Sequence, residues 1–234
     1  MLLSLAARFR AAIAHVRTHD CLLCGAPGAP ERVCAGCAGD LPPLPASCPV
    51  CALPNPDAAV CGACLRAPPA YDATVALWRY EFPLDRLVHA LKYQGRLPVA
   101  RLFGEALARR TARREVDAIV PMPLARRRLA DRGFNQALEI ARAAAAARRL
   151  TPAATAVERI RDTANQADLP LGERARNVRG AFACRGDVRG RRVAVIDDVM
   201  TTGASLGELA ACLKRTGAAW VENWVVGRTL PRDV

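Results

Sequence analysis

The chain has 234 residues, 52% of them hydrophobic and only 5% aromatic, and a formal net charge of +12. That length holds one ordinary domain plus a small one, with a core built mostly of Ala, Leu and Val. No stretch is long and apolar enough to span a bilayer, so no integral membrane segment is expected. The charge is carried by Arg, since only Lys92 and Lys214 are lysines. It permits anionic partners, or it simply reflects the Ala- and Arg-rich composition of a GC-rich genome.

In "MLLSLAARFRAAIAHVRTHD", Leu2, Leu5, Phe9, Ile13 and Val16 recur at roughly helical spacing. An amphipathic helix is expected, packed on the rest of the protein or lying on a membrane surface. Arg8 and Arg10 interrupt the apolar run and no clear small-residue cleavage site follows, so a secretory signal is not read here. A cytoplasmic location, with thiols kept reduced, is the expectation.

Eight of the ten cysteines follow as four pairs: Cys21 and Cys24, Cys34 and Cys37, Cys48 and Cys51, Cys61 and Cys64. Each half reads C-x2-C-x9-C-x2-C, so the unit is repeated. Two thiolates three positions apart on a tight turn grip one tetrahedral ion, and eight are enough for two tetrathiolate sites, which hold one or two structural Zn2+ ions. The surrounding sequence is Pro-rich and poor in large apolar residues, and would hardly fold without such a staple. Disulfides need an oxidising compartment, and a redox CxxC would be single and set in a βαβ unit. Sequential and cross-braced pairing both fit the spacing. His19 is a substitute ligand by type alone. Four-cysteine sites leave no open position, so the zinc is structural rather than catalytic.

Pro68 and Pro69 end this block, which places residues 1–69 in an N-terminal helix and double zinc-ribbon-like module and residues 70–234 in a second domain. There "ATVALWRY" reads as a strand, and Leu84, Leu87, Val88 and Leu91 mark a helix on which His89 reads as packing. A helix is predicted over Val99 to Arg113, a buried strand at "DAIVPMP", a helix at "GFNQALEIARAAAAARR", a short strand at "AVERIR" and a strong buried strand at "RRVAVIDDV". Leu206, Leu209, Ala210 and Leu213 mark a further helix, Cys212 on its apolar side is a small core residue, and "AWVENWVVGRTL" is the last strand. The alternation gives an α/β fold with a mainly parallel sheet flanked by helices.

Ligands of such sheets bind beyond the carboxyl ends of the strands. Asp197 and Asp198 stand at that end of "VAVIDDV". Two like charges are costly to bury unless cations or hydrogen-bond donors meet them. A ribose diol supplies two donors and a divalent cation supplies charge. Thr201, Thr202, Gly203, Ala204 and Ser205 precede a helix whose first N–H groups suit a phosphate. Diol clamp and phosphate cup together suggest a ribose 5-phosphate. Ser205 with Glu208 also matches a capping box. Neither G-x-x-x-x-G-K-[ST] nor G-x-G-x-x-G occurs.

"VAVIDDVMTTGAS" resembles the signature for phosphoribosyl pyrophosphate (PRPP) of type I phosphoribosyltransferases. "VPMPLARRRLADRGFNQALEIA", "RDTANQADLPLGERARNVRGAF" and the cysteine pairs extend the likeness, from about Cys21 to Leu230, to the ComF family of competence-associated proteins. The resemblance implies a type I phosphoribosyltransferase fold behind a zinc module. It implies that Asp197 and Asp198 hold the ribose hydroxyls as the catalytic pair, and that Thr201, Thr202, Gly203, Ala204 and Ser205 hold the 5′-phosphate. Pyrophosphate falls to the turn of Pro121, Met122, Pro123 and Leu124 with Arg126, Arg127, Arg128 and Arg132, supported by Asn135 and Gln136. Several guanidinium groups suit a diphosphate, although "ARRRLADR" also fits a solvated helix face. Lys92 is a phosphate ligand or an ordinary surface lysine.

The segment from Arg161 to Arg179, with Gln166, Arg174, Arg176 and Asn177, fits a closing lid or a surface connection. The implied reaction is attack by an unidentified nucleophilic acceptor on C1 of PRPP, with Mg2+ accompanying the diphosphate and pyrophosphate released. No residue stands out as a general base. The competing reading is a non-catalytic PRPP-fold accessory of DNA uptake that binds single-stranded DNA or uptake proteins. Against it, no aromatic and basic interleaving typical of a single-strand binder is visible.

Overall fold

The computed structural model describes residues 19–29, 31–161 and 177–231. The expected N-terminal helix and, from the anticipated lid, Gln166, Arg174 and Arg176 lie outside these residues. The central sheet has four parallel strands in the order β1 (Ala73–Arg79), β6 (Trp220–Arg228), β5 (Arg192–Met200) and β2 (Ala118–Pro121). A two-stranded antiparallel sheet pairs β3 (Val157–Arg159) with β4 (Phe182–Cys184).

Side-chain alternation along β5 divides the core in two. Ala194 and Ile196 face α3 (Leu84–Gln94), α4 (Leu97–Arg110) and α6 (Gln136–Ala147), burying Leu87, Leu91, Phe103, Leu107 and Ile140. Val193 and Val195 face the opposite layer, with α7 (Ala204–Arg215), Val157 and Phe182. Both faces are covered, which is why β5 reads as an unbroken apolar run. α5 (Arg126–Arg132) is separated from α6 by Gly133, and Asn135 caps α6 by accepting from Ala137 and Leu138 N–H.

The cysteine segment straddles the edge of this sheet. Arg79 N–H donates to Pro42 O (3.0 Å) and Thr74 N–H to Pro49 O (2.9 Å), so the free edge of β1 is covered. Val33 and Leu41 join one core layer and Ala52 joins the other. Each cysteine repeat carries one short helix, α1 (Ala35–Gly39) after Cys34 and α2 (Gly62–Arg66) after Cys61.

The expected strands and long helices are present. α4 starts earlier than predicted and stops at Arg110, where the Thr111 hydroxyl donates to Leu107 O (2.7 Å). The three-residue β4 was too short to show a period. His89 is a correction: it is exposed, because the buried stripe of α3 runs through Leu84, Leu87, Val88 and Leu91 and leaves position 89 off its side.

α4 and α6 pack closely because of Gly104. A Cβ there would lie 2.5 Å from Ile140 O and 2.5 Å from Ala143 Cβ. Alanine would gain about 1 kcal/mol of helix propensity, but backbone atoms cannot yield, and overpacking costs about 1–3 kcal/mol. Gly104→Ala is therefore expected to lower the urea midpoint, measured by circular dichroism, with the slope unchanged.

Candidate cysteine centres and ligand cleft

The eight cysteines form two groups, Cys21, Cys24, Cys34 and Cys37, and Cys48, Cys51, Cys61 and Cys64, with all Sγ atoms of each group within 4.8 Å of one another. The pairing is sequential, not cross-braced. Zinc with Zn–S bonds of about 2.3 Å holds its sulfurs about 3.8 Å apart; Cys24 and Cys34 sulfurs are 3.8 Å apart and those of Cys51 and Cys61 3.7 Å. The groups therefore fit Zn2+. Cys34 N–H points at Cys21 Sγ (3.4 Å) and Cys61 N–H at Cys48 Sγ (3.3 Å), the same contact in both repeats. Burial pushes the Cys21 and Cys48 thiols up, but backbone N–H groups outweigh it and bring them down to about 6 and about 7. Contacts with Cys24 and Cys34 push the Cys37 thiol up to about 12 and burial pushes Cys64 up, so in each group one thiol gives up its proton readily while another holds it. His19 is in neither group; its backbone pairs with Ala29.

At the carboxyl end of β5 a cleft of about 1180 Å3 opens, lined by Asp197 and Asp198. Asp198 is 4% exposed, and Lys92 on α3 reaches its Oδ2 at 2.9 Å. Asp198 Oδ1 accepts from Val199 N–H (2.7 Å) and Asp197 Oδ1 from Asp198 N–H (2.9 Å). Burial and then the Asp198 charge push the Asp197 carboxyl up to about 7, against the Asp198 N–H and Lys92. Burial pulls Lys92 down, but Asp198 and Asp197 outweigh it and its ammonium is held above the usual range. The carboxylate pair is thus partly neutralised from within the protein.

Gly203, at φ 80°, caps α7 and turns the chain into the helix; a Cβ there would lie 2.6 Å from Met200 Cε and 3.0 Å from the Tyr71 hydroxyl. Thr201, Gly203, Ala204 and Ser205 line the cleft, whereas Thr202 faces a smaller hollow beside Tyr71 and its hydroxyl accepts from Ala204 N–H (3.3 Å). The expected capping box does not form. Glu208 Oε1 instead accepts from Gly180 N–H (3.0 Å), tying the chain beyond the anticipated lid to α7.

The opposite wall carries Met122, Pro123, Leu124, Arg127, Arg128 and Arg132. Asn135 Nδ2 donates to Met122 O (3.0 Å) and Arg132 donates to Gln136. Arg128 Nη2 is buried without a protein partner. Pro121 lies buried in β2, and Arg126 points away to Glu158 (3.0 Å); neither is among the lining residues. The cleft also holds groups that the sequence did not single out: Tyr80, Phe134, Arg159 and Tyr93, over whose ring the Arg132 guanidinium sits at 5.6 Å. His89 lines it too, 4.7 Å from the Tyr93 ring. Among the described residues no helix is long and apolar enough to cross a membrane.

Residues 15–65 match the family model of the double zinc ribbon domain. DNA utilization protein YhgH of Salmonella typhimurium is 36% identical over 220 residues, covering 90% of this chain and 97% of the relative. Competence protein F of Haemophilus influenzae is 30% identical over 178 residues, covering 72% and 78%. The chain belongs to the YhgH and competence protein F family. The ComF resemblance is thereby borne out. Solved structures align more loosely with this family member. Purine phosphoribosyltransferase from Pyrococcus horikoshii matches at TM-score 0.34 and 17% identity over 68% of this chain and 92% of that one. The allosteric regulatory enzyme of purine biosynthesis matches at TM-score 0.36 and 23% identity over 54% and 25%.

Asp197 gives the cleft a pH signature. An unfolded carboxyl ionises near 4, the folded one at about 7. Between these values the unfolded chain has released a proton that the folded chain keeps, so stability falls as pH rises through the window. Asp197→Asn is expected to remove that slope. Urea midpoints at about pH 5 and about pH 8 should show the variant gaining on the wild type at the higher pH.

Proposed function

We propose that the chain binds PRPP in this cleft and transfers its phosphoribosyl group to a nucleophilic acceptor, releasing pyrophosphate. One observation carries the reading: the Asp197 and Asp198 carboxylates, the Gly203 turn and an Arg-lined wall with an unpartnered guanidinium nitrogen on Arg128 converge on one cleft. The carboxylates accept the ribose hydroxyls. The N–H groups at the start of α7 meet the 5′-phosphate. Arg127, Arg128 and Arg132 offer donors to the diphosphate. Pro121 and Arg126, proposed from sequence for the same task, act on this reading as the base of the turn and as an outer tether.

Attack by the acceptor forms a bond to C1 as the C1–O bond breaks. The electron pair leaves with pyrophosphate, and the acceptor's proton passes to solvent. Guanidinium charge on the leaving group favours the step. The donor set also fits Mg2+, a hard cation that takes carboxylate oxygens. Asp198 is already engaged by Lys92, so Asp197 is the carboxylate with capacity. When bound with the diphosphate, Mg2+ supplies further positive charge.

The relatives' names, DNA utilization protein and competence protein, link the activity to the handling of DNA. They equally support a second reading, in which the +12 chain binds single-stranded DNA without turnover. Calorimetric titration of zinc-loaded protein with PRPP and Mg2+, beside salt-dependent binding of single-stranded DNA, separates the two. Asp197→Asn with Asp198→Asn is expected to abolish PRPP binding and to leave DNA binding unchanged. Folded wild type that binds DNA but not PRPP would favour the second reading.

A further inference from the structure

Arg228, the last residue of β6, is 3% exposed, and among the described residues its guanidinium donates to backbone carbonyls. Nε donates to Cys51 O (2.9 Å); Nη1 donates to Met200 O (3.0 Å), Thr229 O (2.9 Å) and Thr201 O. Among the described residues no carboxylate pairs with it. A guanidinium buried in this way needs compensating negative charge nearby. Four thiolates around one divalent zinc leave the second cysteine centre net negative, and that centre contributes Cys51. One side chain thus joins a zinc ligand's carbonyl to the two carbonyls that open the turn running into α7.

Packing repeats the link. Ala52 shares a buried cluster with Tyr71, Met200 and Leu206, and the Tyr71 hydroxyl closes on Gly203. Ala52 holds φ 56° where the first repeat has Gly25 at φ 75°. A residue with a Cβ keeps that conformation only where its surroundings impose it. The first centre is tied elsewhere: Arg96 donates to Leu22 O (3.3 Å), Arg109 reaches Glu31 (3.2 Å), and its buried residues join the other core layer.

We propose that the Cys48, Cys51, Cys61 and Cys64 centre, and not its twin, sets the shape of the turn at residues 200–205, with Arg228 as the positioning residue that carries the coupling. Loss of zinc frees the Cys51 carbonyl, the guanidinium fork loses an acceptor, and the Met200 and Thr201 carbonyls lose a fixed donor. For its effect on ligands the coupling rests on the phosphate reading of the turn. Coupling is reciprocal, so a phosphate ligand must then tighten zinc at the second centre by the same factor.

The test uses the zinc-loaded full chain and three variants: Cys61→Ser/Cys64→Ser, Cys24→Ser/Cys37→Ser and Arg228→Met. Amide hydrogen exchange at residues 200–205 is expected to quicken about tenfold in the first and third and to stay within about twofold in the second. Equal quickening by both cysteine variants, or none by either, overturns the proposal. If Arg228→Met does not fold, the cysteine variants decide alone. The equilibrium zinc affinity of the Cys24→Ser/Cys37→Ser protein, read by chelator competition, is expected to rise about fivefold or more with ribose 5-phosphate, and not when Arg228→Met is added. Ligand that binds without raising zinc affinity overturns the coupling. If wild type does not bind ribose 5-phosphate, the phosphate reading falls, and the exchange result still decides the coupling.

Discussion

Two adjacent carboxylates at the end of a central strand are the constraint to which the cleft answers. Asp197 and Asp198 lie just past the end of β2, whose pairing stops at Ile196, while β5 itself stays paired with β6 as far as Met200, and neither can be buried charged without compensation. The protein meets half of that demand itself. Lys92 crosses from α3 to Asp198 at 2.9 Å, and local N–H groups take one oxygen of each carboxylate. The remainder faces the cleft as an affinity for donors or cations. Helix α3 is therefore more than cover for the sheet: its apolar stripe seats on the core, and its polar edge brings Lys92, His89 and Tyr93 to the ligand side.

A second constraint is the cysteine segment's shortage of apolar residues. Two metal-sized thiolate cages supply the rigidity that a core this small cannot. Once rigid, the segment covers the edge of β1 and sends one repeat to each face of the sheet. The two repeats share sequence spacing, short helices and N–H to sulfur contacts, yet only the second lies against the turn that opens α7. Internal repetition has been turned into unequal positions by where each copy docks.

The sheet, its helices, both aspartates and the cysteine repeat were legible because each rests on local pattern: period two, period 3.6, or fixed ligand spacing. What stayed hidden depends on contacts far apart in the chain. Lys92 read as a phosphate ligand or a surface lysine, because nothing near it announces Asp198. Cysteine pairing was open, since both schemes have the same spacing, and only the fold of each repeat decides it. Glu208 matched a capping box with Ser205, but Gly180 N–H competes for its carboxylate. His89 read as packing because one step along α3 separates the buried Val88 from the exposed edge. Arg228 carried no signal, being one arginine among many in a basic chain; only its burial reveals it.

If a ribose phosphate lies across the carboxyl end of β5, a crystal of the zinc-loaded chain soaked with PRPP and Mg2+ will hold the 5′-phosphate on the N-terminal turn of α7, the ribose hydroxyls on Asp197 and Asp198, and the diphosphate on Arg128 and Arg132. Ligand bound elsewhere, or an empty cleft at saturating PRPP, rules that arrangement out.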